Sequence, residues 1–232
     1  MRAKRYVFEP GGHDHLVSKN SFADNVVVVD FETTGLSPDQ GDRTIELGAV
    51  RLQDGEIVDR FQQLINPGVR VSSFIESYMG ISNAMLALAP PHAEVPTEFL
   101  EFLGSSNLVA HNASFGKRFL DSEVFRIGKR YSGEFACSML VARHVCTQSP
   151  DHKWATLMAF NDIQPVGSFH RALADSEMTA SLWVKMLSDF ERRFALNRRT
   201  FGLMQRLRRT PKNTAERLLN DAAENQRRRK DG

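Results

Sequence analysis

Two carboxylates close a β-branched run: Asp30 and Glu32 follow Val26-Val27-Val28-Val29 in the order V-V-V-V-D-F-E. In an extended strand, residues i and i+2 point to the same face, so these acids stand side by side. Two anions at the end of an apolar strand repel each other and lose hydration. A hard cation relieves both penalties, and oxygen ligands of this kind suit Mg²⁺ or Mn²⁺. Taken alone, a D-x-E reads more simply as two exposed strand-end acids. The elements around it decide.

The run Val26 to Val29 reads as a buried central strand, ended by Gly35 and Pro38. Thr44 to Leu52 predicts a second strand and Glu56 to Ile65 a third, joined by the Asp54-Gly55 turn into a hairpin. Asn66-Pro67-Gly68 breaks the third strand. Short helices are expected over Phe74 to Met79 and from Pro96 to Leu103. Leu108 to Ala110 is a short apolar strand. Ala113 to Arg126 reads as a helix with Phe115, Phe119, Leu120 and Val124 as its apolar stripe. Glu134 to Cys137 gives a last strand and Trp154 to Phe160 a helix. Arg171 to Phe194 is the longest helical run, with Leu173, Met178, Leu182, Met186 and Phe190 on one side. Strands first and strand–helix alternation afterwards predict an α/β domain with a mixed sheet covered by helices.

The 232 residues allow one sizeable core with appendages. Residues 1–24 read as an N-terminal extension, 25–194 as the main domain and 195–232 as a helical tail. Of the 30 Lys/Arg, 13 lie from Glu191 onwards against 5 Asp/Glu, so that segment carries +8 and the remainder −6. An acidic body with a basic tail suits a cation site beside a polyanion-binding appendage, or a solvated helical face. The two cysteines, Cys137 and Cys146, form neither a disulfide framework nor a zinc site. A reduced, cytoplasmic protein is expected. The polar first 20 residues do not read as a signal peptide. No apolar stretch approaches the ~20 residues that span a bilayer.

Asp30-Phe31-Glu32-Thr33-Thr34-Gly35-Leu36 resembles the first motif of the DnaQ-like (DEDDh) 3′→5′ exonucleases, in wording close to the epsilon proofreading subunits of bacterial DNA polymerase III. Leu108 to Leu120 (LVAHNASFGKRFL) is similar to the second motif and His170 to Ala180 (HRALADSEMTA) to the third. The resemblance spans Val26 to Phe190. It implies a ribonuclease H-like, mixed five-stranded sheet flanked by helices, and hydrolysis of phosphodiesters at nucleic-acid 3′ ends. Two Mg²⁺ or Mn²⁺ ions would stabilise the attacking and leaving oxygens. By resemblance, Asp30 bridges the metals, Glu32 and Asp175 complete the first site, and His170 is the general base, a role that an imidazole of ordinary pKa ~6.5 can fill near neutral pH. Thr34, Gly35 and Leu36 would cradle the 3′-terminal nucleotide. Ile81, His111, Asn112 and Phe115 are further candidates for binding it, Phe115 being equally a core residue.

One position departs from the pattern. The family carries an aspartate after H-N-A-x-F, where this chain has Gly116. Glycine offers no ligand, which weakens the second metal site. Asp121, about 140° further round an ideal helix, should point elsewhere. Gly116 is compatible with a natural loss of activity, with a substitution introduced to silence the site, or with support of the metal by water or a distant carboxylate. Two functions follow: an exonuclease acting on single-stranded DNA ends, with RNA as the rival substrate, or an exonuclease-like module that grips 3′ ends or a DNA polymerase subunit without efficient hydrolysis.

Overall fold

The computed structural model describes residues 21–164 and 171–228. In chain order the elements are β1 (Val26–Thr33), β2 (Thr44–Gln53), β3 (Glu56–Leu64), α1 (Ser73–Met79), α2 (Asn83–Leu88), α3 (Val95–Leu103), β4 (Leu108–Ala110), α4 (Ala113–Arg126), β5 (Phe135–Cys137), α5 (Ser138–Val145), α6 (Trp154–Phe160), α7 (Ala172–Phe194), α8 (Phe201–Leu207) and α9 (Lys212–Arg228). The five strands form one sheet in the order β3-β2-β1-β4-β5. β2 runs antiparallel to β1 and β3, whereas β1, β4 and β5 are mutually parallel. This is the mixed five-stranded sheet expected, and Asp54 and Gly55 both take positive φ at the hairpin turn between β2 and β3.

β1 is central, and its alternation divides the core. Val26 and Val28 face a cluster built with α5, α7, α8 and α9, while Val27, Val29 and Phe31 face one built with α3 and α4. Asp30 and Glu32 continue the first set, so both emerge on the α7 side of the sheet. A third, smaller cluster of Ile45, Val71, Ile81 and Leu86 lies under α1 and α2.

Two helices were not expected from the sequence. α5 begins at Ser138 directly after β5, with no Gly or Pro between to mark the change. α2 is only six residues long, too short for its periodicity to register; it is capped by the Ser82 side chain, which accepts from the Met85 N–H.

The basic tail does not project from the domain. Phe201, Leu203, Met204, Leu207, Ala215, Leu219 and Ala223 belong to the same buried cluster as Trp183 and Phe190 of α7. The chain ahead of β1 is clasped by the start of this segment. Phe22 bridges Thr200, Ala23 N–H donates to Arg199 O (2.7 Å) and Phe201 N–H to Ser21 O (2.8 Å). The Trp183 indole N–H donates to Ala23 O (2.7 Å), and Arg199 pairs with Asp24 (3.1 Å). Three of the tail's arginines are held in ion pairs within the domain, Arg199–Glu191, Arg217–Asp221 and Arg228–Glu224.

Candidate functional site

Side-chain oxygens of Asp30, Glu32 and Asp175 all lie within 4.8 Å of one another. Three features of the sequence bring them together. The strand period puts Asp30 and Glu32 on one face. In the β1–β2 ladder Asp30 pairs with Gly48 and Glu32 with Glu46. Gly48 then lets α7 press onto β2: a Cβ there would sit 2.1 Å from the Ala172 backbone carbon, far inside contact distance. The Ser176 hydroxyl donates to Gly48 O (2.9 Å), fixing the helix to that strand. With its first turns held so close, α7 delivers Asp175 to the end of β1.

Glu46 anchors the start of α7. It is fully buried and accepts from Arg171 through Nε (3.1 Å to each oxygen) and Nη2 (2.8 Å). The Ala172 backbone N–H (3.1 Å) and Gln62 Nε2 (2.8 Å) also donate to it. The N-terminus of α7, which has no cap from its own Arg171 side chain, is therefore capped from a neighbouring strand. Sequence reasoning missed this pair. The available signal was a charge inside the otherwise apolar strand Thr44 to Leu52, which must find a partner if buried.

The electrostatics are those of a site built for a cation. Glu32 is buried and Asp30 and Asp175 are half-buried. Burial, then repulsion from its neighbours, pushes the Glu32 carboxyl up to about 7. Burial and the nearby Glu46 push Asp175 up to about 6, and burial with Glu32 and Asp175 close by holds Asp30 well above the usual carboxylate range. Oδ1 of Asp175 is buried without a hydrogen-bond partner among the described residues. Crowded acids that resist ionisation, one with an orphaned oxygen, match the demand of a hard divalent cation for oxygen ligands.

The loop after β1 is braced from α4. Arg43 makes a two-pronged, largely buried pair with Glu123 (3.0 and 2.7 Å), and Arg118 donates to Leu36 O (3.1 Å). The Thr34 hydroxyl donates to Asp42 (3.2 Å) and accepts from the Arg43 N–H (3.0 Å). A Cβ at Gly35 would fall 2.4 Å from the Asp42 carboxylate, so any larger residue would displace the Asp42 side chain from Thr34 and Ser37. Leu36 stays 73% exposed, as an apolar wedge would.

The other candidates divide. Asn112 is exposed, takes a left-handed conformation (φ 57°) ahead of α4 and accepts from Ser114. Phe115 is half-buried against Phe119, with ring centroids 4.9 Å apart. The His111 imidazole meets the Ser138 hydroxyl (3.0 Å), and burial lowers its pKa to about 4, so the ring is neutral. The Ile81 side chain is fully buried in the third cluster and supports the fold there rather than offering a surface. His170 lies outside the described residues.

Gly116 sits buried on α4. An added Cβ would find the Phe31 ring at 3.4 Å and the Ala110 Cβ at 3.7 Å as its nearest neighbours, ordinary contact distances, so a Cβ is tolerated. Asp121 points elsewhere, as the helical geometry requires, and is held by Lys117 and the Tyr131 hydroxyl. Among the described residues the metal-type cluster comprises three acids only.

Comparison with known proteins agrees with this geometry. A family profile described as exonuclease (RNase_T) matches residues 27–183. The PolC-type DNA polymerase III of Caldanaerobacter subterraneus subsp. tengcongensis is 36% identical over 174 residues, 75% of this chain but 12% of that protein. The PolC-type enzyme of Staphylococcus saprophyticus is 40% identical over 166 residues, 71% of this chain and 11% of that protein. The chain thus spans about one-eighth of the length of these relatives. Among solved structures, Exonuclease X in complex with 5′ overhanging duplex DNA superposes with a TM-score of 0.57 at 30% identity, covering 70% of this chain and 91% of that one. The nuclease domain of 3′hExo, a DEDDh family member bound to rAMP, shares the fold (TM-score 0.61, 23% identity, 73% and 94% covered). With its ribonuclease H-like sheet, its acid cluster and these matches, the chain belongs to the DnaQ-like (RNase T) exonuclease family.

Proposed function

We propose that this chain is a metal-dependent 3′→5′ exonuclease acting on single-stranded DNA ends, with activity reduced by Gly116. The observation that carries the reading is the meeting of Asp30, Glu32 and Asp175 within 4.8 Å, all with raised pKa values. These three would hold Mg²⁺ or Mn²⁺, which supplies charge stabilisation at the attacking and leaving oxygens of the phosphodiester. The chain's own groups do the rest. The Glu46–Arg171 clamp fixes the helix that bears Asp175. His170 would accept the proton of the attacking water. The braced loop from Thr34 to Leu36 would seat the terminal nucleotide through its backbone groups and the exposed Leu36 side chain. A side chain missing at position 116 removes one acid from the second ion's surroundings.

A second reading rests on that glycine: a module that binds 3′ ends or a polymerase subunit without efficient hydrolysis. Digestion of 5′-labelled single-stranded DNA in Mn²⁺ separates the two. Stepwise shortening from the 3′ end, lost in Asp30→Ala, supports the exonuclease. Binding of the same oligonucleotide with no shortening above a no-enzyme control rejects it in favour of the module.

A further inference from the structure

A cavity of about 410 Å³ lies away from the acids, between α5, the segment around His152 and the junction of α8 with α9. Its lining includes Arg143, His144, His152, Arg208 and Lys212, and no acidic side chain. Arg143 and Lys212 are exposed, and among the described residues neither pairs with a carboxylate. Arg208 donates one guanidinium N–H to Phe135 O (3.2 Å) and has others to give. His144, only 9% exposed, and His152 both line the cavity, and each ring donates to a backbone carbonyl, of Leu207 and Cys146 respectively. Burial, with Lys212 and Arg143 nearby, lowers both imidazole pKa values, so each ring is neutral and carries one N–H. The 17-residue α9 turns its N-terminus to the same cavity through Lys212, with no acid in its first turn. Converging cations and helix N–H groups, with no acid among them, are what an anion with several oxygens satisfies.

We infer that this cavity is a phosphate site that holds the backbone of the nucleic-acid strand beyond the nucleotide being cleaved, an inference resting on the exonuclease reading above. Its position supports a strand rather than a free ion. α5 starts at Ser138, at the edge of the parallel strands where β1 presents its acids, and Ser138 touches His111. His144 lies six residues along α5, on the order of 9 Å, and β5 is two strands from β1, on the order of 10 Å. The cavity is therefore a few nucleotides from the acids. From the tail it takes Arg208 and Lys212, neither of which pairs with a carboxylate among the described residues, whereas Arg199, Arg217 and Arg228 do.

The test uses the full chain and the double variant Arg143→Ala/Lys212→Ala, both sites being exposed and outside the core. Titration with inorganic phosphate should shift the ring resonances of His144 and His152 saturably, and not in the double variant. Fluorescent oligo-dT binding in EDTA should weaken in the variant, with the slope of log K against log salt reduced by about 1.4 for two lost contacts. Phosphate-dependent shifts with an unchanged oligonucleotide slope would assign a free phosphate or mononucleotide instead, and overturn the strand. Absence of both effects overturns the site. A variant-sensitive oligonucleotide slope in a chain that cleaves nothing would leave this site standing and remove the exonuclease reading alone.

Discussion

Glu32→Gln should stabilise the metal-free protein above neutral pH. Glu32 is buried beside two other acids, and its carboxyl titrates at about 7 rather than 4.5. Between those values the folded state holds a proton that the unfolded chain has released, so stability falls as pH rises through that window. A displacement from 4.5 to about 7 corresponds to about 3 kcal/mol, absent below 4.5 and fully felt above about 7. Glutamine keeps the shape without the charge. In EDTA at pH 8 the variant should melt roughly 6–12 °C above the parent, since 1 kcal/mol moves a domain of this size by about 2–4 °C. At pH 4.5 the two should coincide. Mn²⁺ should reverse the order, because a ligand that binds only the folded state stabilises whichever protein holds it better. Differential scanning calorimetry at two pH values, with and without Mn²⁺, reads all of this. A variant that melts no higher than the parent at pH 8 in EDTA would refute the view that these acids are held together at a cost relieved by a cation.

Other outcomes are expected from the same geometry. Gly116→Asp should raise 3′→5′ hydrolysis at least about tenfold and lower the Mg²⁺ needed, as an outer metal partner is typically worth ~10–100-fold; equal rates in the two proteins would show that position 116 is not the deficit. Arg171→Ala removes the only cation paired with buried Glu46 among the described residues and leaves it the Gln62 and Ala172 donors, so it should cost about 1–3 kcal/mol by urea denaturation and weaken Mn²⁺ binding through misplacement of Asp175; an unchanged midpoint would mean that Glu46 is not the anchor. Gly48→Ala should drive α7 off β2, costing about 1–3 kcal/mol or more and lowering Mn²⁺ affinity together with stability, since its Cβ would collide with backbone rather than a movable side chain; a variant as stable as the parent would refute the close approach.

The sheet and the acid site were largely legible because their signals are local. Val26 to Val29 ending in an acid is a strand period, Asp54-Gly55 is a turn with its own backbone demand, and the boundaries of α4 follow its apolar stripe. Asp175 needed the motif resemblance, since no periodicity says that a residue 145 positions away returns to Asp30. What stayed hidden depends on tertiary neighbours. Glu46 and Gly48 read as ordinary members of a strand until α7 is laid upon them. Ile81 read as a candidate contact but is enclosed by Ile45, Val71 and Leu86. The tail read as a charged appendage because its basic residues are conspicuous, whereas its buried face, from Phe201 to Ala223, is spread over two helices with a break between them.

The clasp between Ser21–Asp24 and Arg199–Phe201 sets an order of events for a chain being made from its N-terminus. The acid-bearing strand is synthesised well before the residues that pin its leading segment. Closing so long a loop costs little more free energy than closing one half its length, about 0.6 kcal/mol, but contacts between distant residues are slow to form. Until Phe201 is available, the apolar face of α7 around Trp183 and Phe190 lacks its α8 cover. A growing chain therefore passes through an interval in which its acids can already meet while its core stands open, and in that interval proteases or other nascent chains find it most readily.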